Sequence, residues 1–131
     1  MTTKKKIYIA GSGGMLGEAF HRVFDANYEL KCTDMDVNED WLTYLDFRDF
    51  EAYRRDVQDF KPDYLFHLGA YTDLEFCELN PDDTYVTNTL AVENAVAVLK
   101  NTFIKGKKIV VLGHMAELGD KTKDAHIEQA K

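Results

Sequence analysis

At 131 residues, 45% of them hydrophobic, the chain has the length and apolar content for one compact domain with a real core. A formal charge of −7 argues against nonspecific nucleic-acid binding, which relies on lysine and arginine neutralising phosphates, and Lys4-Lys5-Lys6 is too short a basic run to change that. No apolar stretch approaches the roughly 18 residues of a membrane span, and the start, Met1-Thr2-Thr3-Lys4, lacks the apolar core of a signal peptide.

Taken in chain order, Ile7-Tyr8-Ile9-Ala10 is an apolar run that predicts a buried strand over about Lys6–Ala10. Gly11-Ser12-Gly13-Gly14-Met15-Leu16-Gly17 follows. Gly11, Gly14 and Gly17 fall three apart, a GxxGxxG pattern in place of GxGxxG. Apolar residues at helical spacing then predict a helix over Met15–Asp25. Strand, glycine turn and helix start in that order build an anion site. Glycine lets backbone N–H groups approach a phosphate, and the helix N-terminus adds unpaired donors and partial positive charge.

A second strand is predicted at Glu29–Thr33, with Asp34 at its end, about 20 residues beyond the turn as the dinucleotide fingerprint requires. A carboxylate there accepts from both hydroxyls of an adenosine ribose and repels a 2′-phosphate, which points to NAD rather than NADP. The alternative is a glycine turn and an acidic strand end that hold no ligand. Asp36, within the acid-rich Asp34–Asp40, reads as a solvated loop residue.

Leu42–Leu45 reads as a short third strand, and Phe47–Asp59 as a helix with Phe50, Tyr53, Val57 and Phe60 at helical spacing. Asp49 and Glu51 sit near its N-terminus, as the helix dipole prefers. Pro62 punctuates the chain before a fourth strand, Tyr64–Leu68. Gly69–Asn80 reads as a loop carrying Tyr71, Phe76 and Cys77. Asn80-Pro81-Asp82-Asp83 then starts a helix that runs to about Leu99. Lys108–Leu112 is expected to be a fifth, buried strand and Lys121–Lys131 a charged last helix.

Cys32 and Cys77 read as free thiols, which fits a cytoplasmic protein. His21, His67, His114 and His126 show no metal-ligand spacing with them, so no metal site is expected. A P-loop is excluded because Glu18 follows Gly17, and a phospho-receiver site because Ala10-Gly11-Ser12 stands where strand one would need acids.

Alternating strands and helices predict an α/β fold: a doubly wound, five-stranded parallel sheet, Rossmann-like. Right-handed crossovers give the strand order 3-2-1-4-5. A ligand then belongs at the switch point between strands one and four, outside the carboxyl ends of the strands. The loops that meet there are Gly11–Gly17, Asp34, Asp46-Phe47, Gly69–Thr72 and Gly113–Glu117.

Residues Lys6 to about Leu99 resemble the extended short-chain dehydrogenase/reductases, in the branch of dTDP-4-dehydrorhamnose reductase and its nucleotide-sugar relatives. The motifs are the glycine turn, Tyr44-Leu45-Asp46-Phe47-Arg48-Asp49, His67-Leu68-Gly69-Ala70-Tyr71-Thr72-Asp73 and Asn88-Thr89-Leu90-Ala91-Val92-Glu93-Asn94. The resemblance implies that Gly11, Gly14, Met15 and Leu16 hold a pyrophosphate and Asp34 the adenosine ribose. Asp46 and Phe47 would flank the adenine. Leu68, Gly69, Ala70 and Tyr71 would line the path to the nicotinamide. Gly69 stands where alanine is usual, a small change that leaves that path open. Asn88 resembles the family's helix asparagine, here read as structural.

The resemblance ends near Leu99. Its members continue into a Tyr-x-x-x-Lys pair, in which the tyrosine is the general acid/base. No such pair follows strand four here. Lys107–Asp120, with His126 beyond it, instead resembles the C-terminal domain of Mur ligases, in particular the ligase that adds D-alanyl-D-alanine. Two families meeting near residue 100 imply a chimera, recombined or designed. The functional expectation is an NAD-binding domain without turnover. The alternatives are a fold with no ligand function, and part of a nucleotide-sugar reductase whose tyrosine comes from elsewhere. The oligomeric state is left open.

Overall fold

The structure is a computed structural model that describes residues 3–101. Four parallel strands form one sheet in the order β3-β2-β1-β4. They are β1 (Lys6–Ala10), β2 (Glu29–Asp34), β3 (Leu42–Tyr44) and β4 (Tyr64–His67). The register runs Ile9 opposite Cys32 on one side and Phe66 on the other, and Thr33 opposite Thr43. The expected order 3-2-1-4-5 therefore holds for its first four strands. The fifth strand at Lys108–Leu112, the last helix and the loop Gly113–Glu117 lie outside the described residues, as does the Mur-like run.

Period-two alternation in β1 divides the core between two faces. Ile7 and Ile9 point to one face, where they join Cys32 and Leu42 under Phe20 and Phe24 of helix α1 (Met15–Phe24). Tyr8 and Ala10 point to the other. There they join Tyr53 and Val57 of helix α2 (Phe50–Phe60) and Ala91, Ala95 and Val98 of helix α5 (Ala91–Asn101). Helices on both faces are what a doubly wound sheet requires, because the direction of winding reverses at β1. Burial of the Cys32 thiol in the α1 face raises its pKa, so it is an inert thiol and part of the packing.

Three sequence expectations are corrected. Helix α2 starts at Phe50, not Phe47, because the Asp49 side chain accepts from the Ala52 N–H at 3.1 Å and caps it there. The stretch Gly69–Asn80 is not all loop: Leu74–Leu79 forms helix α3, capped by Asp73, whose carboxylate accepts from the Phe76 N–H at 2.9 Å. Cys77 accordingly lies on a helix. The long helix expected from Asn80 to Leu99 is α4 (Pro81–Tyr85), then a π-helical turn (Val86–Leu90), then α5. Pro81 does occupy its first turn. Boundaries elsewhere agree within a residue or two.

Candidate functional site

The C-terminal rim of the sheet carries the loops Gly11–Gly17, Asp34, Asp46-Phe47 and Gly69–Thr72. Gly11 adopts φ +81°, a left-handed conformation that glycine takes without strain. That twist turns the N–H groups of Gly11 and Ser12 back onto the Thr33 carbonyl, each at 2.9 Å, and ties the turn to β2. Gly11 also lies against the next loop so closely that a Cβ there would stand 2.3 Å from the Gly69 nitrogen. Ser12 is fully buried and its hydroxyl donates to the Ile9 carbonyl at 2.8 Å. Gly17 packs the first turn of α1 on Ser12, where a Cβ would come within 2.4 Å of backbone. The turn is thus fixed by backbone contacts at both ends.

Its middle is open. Gly14 is the N-cap of α1, and among the described residues no side chain caps that end. Among the described residues a Cβ on Gly14 would meet nothing within 4 Å, and Met15 is 91% exposed beside it. The first N–H groups of a helix have no intrahelical partner. This end therefore presents donors to whatever occupies the rim, with Leu16 also exposed beside them.

Asp34 faces the same turn. One carboxylate oxygen accepts from the Gly13 N–H and the other from the Asp36 N–H, each at 3.0 Å. A carboxylate has about four lone-pair sites, so Asp34 is oriented by these bonds and keeps acceptor capacity for hydroxyl groups. A Cβ at position 13 would lie 3.0 Å from the Asp34 carboxylate, so a larger residue there requires that side chain to shift by a few tenths of an ångström.

On the other side of the crevice, Leu68 donates its N–H to the Ala10 carbonyl at 2.8 Å, so the loop after β4 starts in register with β1. Leu68 is half-buried, Ala70 exposed and Tyr71 half-buried. Gly69 is buried beneath the Phe47 ring, and a Cβ at Gly69 would meet that ring at 2.3 Å. The exchange of alanine for glycine is therefore not a small change here: Phe47 fills the space an alanine methyl would take. Phe47 itself is 3% exposed.

Asp46, at the head of the loop after β3, is held by Arg48. The guanidinium donates from Nε at 2.9 Å and from Nη2 at 3.0 Å, and the Arg48 N–H adds a third bond at 3.0 Å. The pair holds the Asp46 carboxyl below its ordinary range and raises Arg48, through the same bonds. Neither Arg48 nor Asp83 stood out in the sequence. The signal available for Arg48 was the acid-x-Arg spacing of Asp46-Phe47-Arg48.

His67, the last residue of β4, has a place that its lack of metal-ligand spacing did not suggest. Its Nδ1 lies 3.0 Å from the Tyr53 hydroxyl, and its ring meets Phe47 edge-on at 5.1 Å. Burial lowers its pKa to about 4, so the imidazole is neutral at neutral pH. Its Nε2 is buried with no hydrogen-bond partner among the described residues.

A groove of about 390 Å³ opens on the flank of α2 and shares Asp46 with the rim. Asp46, Asp49, Asp56 and Asp59 line it with Arg55. Four carboxylates against one guanidinium make it a poor seat for a diphosphate. Among the described residues no group of histidine, cysteine or acidic side chains could hold a metal ion, and no helix is long and apolar enough to cross a membrane.

The model of the family described as the RmlD substrate binding domain matches residues 5–105. Methionine adenosyltransferase 2 subunit beta of Xenopus tropicalis is 29% identical over 92 residues, covering 69% of this chain and 27% of that protein. The dTDP-4-dehydrorhamnose reductase of Bacillus anthracis, solved in complex with NADP, superposes with a TM-score of 0.64 and 23% identity over 75% of this chain and 33% of that one. The UDP-glucose 4-epimerase of Thermus thermophilus, solved with NAD, gives 0.65 and 18% over 72% and 33%. The chain thus spans about a quarter of that curated relative and a third of each solved structure.

Proposed function

Because the chain belongs to the family of the RmlD substrate binding domain, we propose that it is the dinucleotide-binding part of a nucleotide-sugar reductase of the dTDP-4-dehydrorhamnose type. It binds NAD in preference to NADP and does not turn over by itself. Gly11, Gly14, Met15 and Leu16 hold the pyrophosphate, and Asp34 reads the adenosine ribose. Asp46 bounds the adenine end, with the buried Phe47 ring behind it as support and not as a contact. Leu68, Gly69, Ala70 and Tyr71 lead to the nicotinamide. The observation that carries this reading is the pairing of an uncapped α1 N-terminus with Asp34, joined by the bond from the Gly13 N–H at 3.0 Å. Donors for a diphosphate and a carboxylate for ribose hydroxyls stand side by side at the β1/β4 switch point.

Calorimetry on the whole chain with NADH and NADPH tests it. NADH is expected to bind in the micromolar to millimolar range, more tightly than NADPH. Asp34→Ala is expected to weaken NADH about tenfold, the effect of losing hydrogen bonds to a charged acceptor, and to narrow the preference over NADPH. Failure of NADH to bind at millimolar concentration contradicts the proposal, as does an Asp34→Ala variant that binds NADH unchanged. The 131 residues hold no Tyr-x-x-x-Lys, so no oxidation of NADH by a dTDP-4-keto sugar is expected from the chain alone.

The same reading seats Lys108–Leu112 as a fifth strand along β4, completing the order 3-2-1-4-5. β4 ends the described order β3-β2-β1-β4 with one backbone edge unpaired by any described strand, which supports a neighbour there. It also gives the residues beyond about 100 a separate, Mur-ligase-like origin in a recombined or designed chain. In its support, the family match covers residues 5–105 and the Mur-like run begins at Lys107. A natural gene whose frame runs from this chain into a Tyr-x-x-x-Lys reductase half contradicts that origin. The free thiols at Cys32 and Cys77 support a cytoplasmic setting.

A further inference from the structure

Arg48 stands between the two halves of the rim. Two of its guanidinium nitrogens grip Asp46, and the third, Nη1, reaches Asp83 of α4 at 3.2 Å. The other oxygen of Asp83 accepts from the Tyr71 hydroxyl at 3.4 Å. Tyr71 is then held by its backbone: Asn88 accepts from its N–H at 2.7 Å and donates to its carbonyl at 2.9 Å. Asn94 closes the other end by donating to the carbonyls of Phe47 and Arg48, at 3.3 and 3.0 Å. A continuous polar chain thus joins the loop after β3 to the loop after β4 by way of α4 and the π-helical turn, without passing through the sheet. The widened π turn carries Asn88 at the point where it meets Tyr71.

We propose that Arg48 is a positioning residue that locks the Asp46-Phe47 loop to the Gly69–Tyr71 loop through Asp83, so that the two ends of a dinucleotide are bound as one unit. The inference rests on reading the rim as a dinucleotide cradle. The two loops already meet where Phe47 packs on Gly69, and the Arg48–Asp83 tie extends that coupling to Tyr71, whose segment must otherwise be ordered when a ligand spans both loops. Loops already tied together need no such ordering. A mononucleotide that touches only the adenine end gains nothing from the tie. The contacts are partly exposed, with side-chain exposures of 29% for Arg48 and 46% for Asp83, so neither is needed for the core. Their planar, forked geometry is specific to arginine, since a lysine ammonium cannot grip Asp46 with two parallel bonds and reach Asp83 as well.

The test uses the whole chain and the variants Arg48→Ala, Arg48→Lys, Asp83→Ala and the Arg48→Ala/Asp83→Ala double, with NADH and ADP as ligands. Asp83→Ala leaves the grip on Asp46 intact and cuts only the bridge. It is expected to weaken NADH about tenfold and ADP less than about twofold. Arg48→Lys should weaken NADH as Arg48→Ala does. The double variant should bind NADH no more weakly than the worse single, because either change opens the same tie. In the ligand-free chain, the Tyr71 amide should exchange about tenfold faster in both alanine singles, with the Ile9 amide of β1 unchanged. Equal weakening of NADH and ADP by Asp83→Ala overturns the proposal, as do additive effects or unchanged exchange at Tyr71. A wild-type chain that binds neither nucleotide overturns the cradle reading and the coupling built on it. Faster Tyr71 exchange in the variants would then show the tie to exist without that role.

Discussion

Gly11→Ala is expected to destabilise the chain by more than about 3 kcal/mol, from a left-handed residue made non-glycine together with overpacking. The φ of +81° disfavours any Cβ, and the new methyl would stand 2.3 and 2.4 Å from the Gly69 nitrogen and Cα and 2.8 Å from the Leu68 carbonyl carbon. All three are backbone atoms of a loop pinned to Ala10 by the Leu68 bond, so no side-chain rotation relieves the contact. The two loops must part, and with them the crevice between β1 and β4. Urea unfolding of Gly11→Ala beside Gly14→Ala checks this. The second glycine faces open space, so its loss is expected to cost within about 1 kcal/mol, the range of an N-cap change. Equal midpoints for the two variants would contradict the close approach of the loops.

Stability is expected to fall as pH drops from about 6.5 towards 4, and His67 is the cause. The folded protein binds this proton only near pH 4, whereas the unfolded chain binds it near the ordinary 6.5. Between those values the unfolded state holds more protons, so stability rises with pH and is fully present above 6.5. The displacement corresponds to about 3 kcal/mol across the window. Desolvation is the cause: charging the ring would place a cation between Tyr53 and Phe47. The Asp46 carboxyl also favours the folded state above its own pKa, but its window lies below 3.8 and does not overlap this one. Urea unfolding at pH 7 and pH 4.5 should show most of the drop in the wild type and little of it in His67→Phe. Parallel losses in the two proteins would remove His67 as the origin.

The sheet was legible because its signals are local. Ile7–Ala10 is a short apolar run ended by glycine, and Asp34 ends β2 where the fingerprint spacing puts it. The glycine turn was legible because Gly11, Gly13, Gly14 and Gly17 crowd into the short span between a strand pattern and a helix pattern, where the chain must reverse tightly. Helix α3 was missed because six residues carry too little periodicity to outweigh a loop reading, although Asp73 three residues before Phe76 was a capping signal in plain view. The break in the long helix was invisible, since Val86–Leu90 contains neither proline nor glycine. Arg48, Asp83 and Tyr71 could not be joined from sequence, because their contacts span 35 and 12 positions and depend on how α4 leans over the rim. Phe47 is the most instructive. The family resemblance implied an adenine neighbour, but the glycine at 69 lets the ring sink inward. Two positions that look separate in the sequence form one packing unit.

Backbone donors of the β1–α1 turn and the Asp34 carboxylate are together the proposed seat of a dinucleotide. A titration of the isotopically labelled chain with NADH, followed by amide chemical shifts, addresses it most directly. Saturable shifts are expected at Gly13, Gly14, Met15, Leu16 and Asp34, with a second group at Gly69 to Tyr71. Shifts confined to the α2 groove around Tyr44 and Asp59, or none at millimolar NADH, would contradict it.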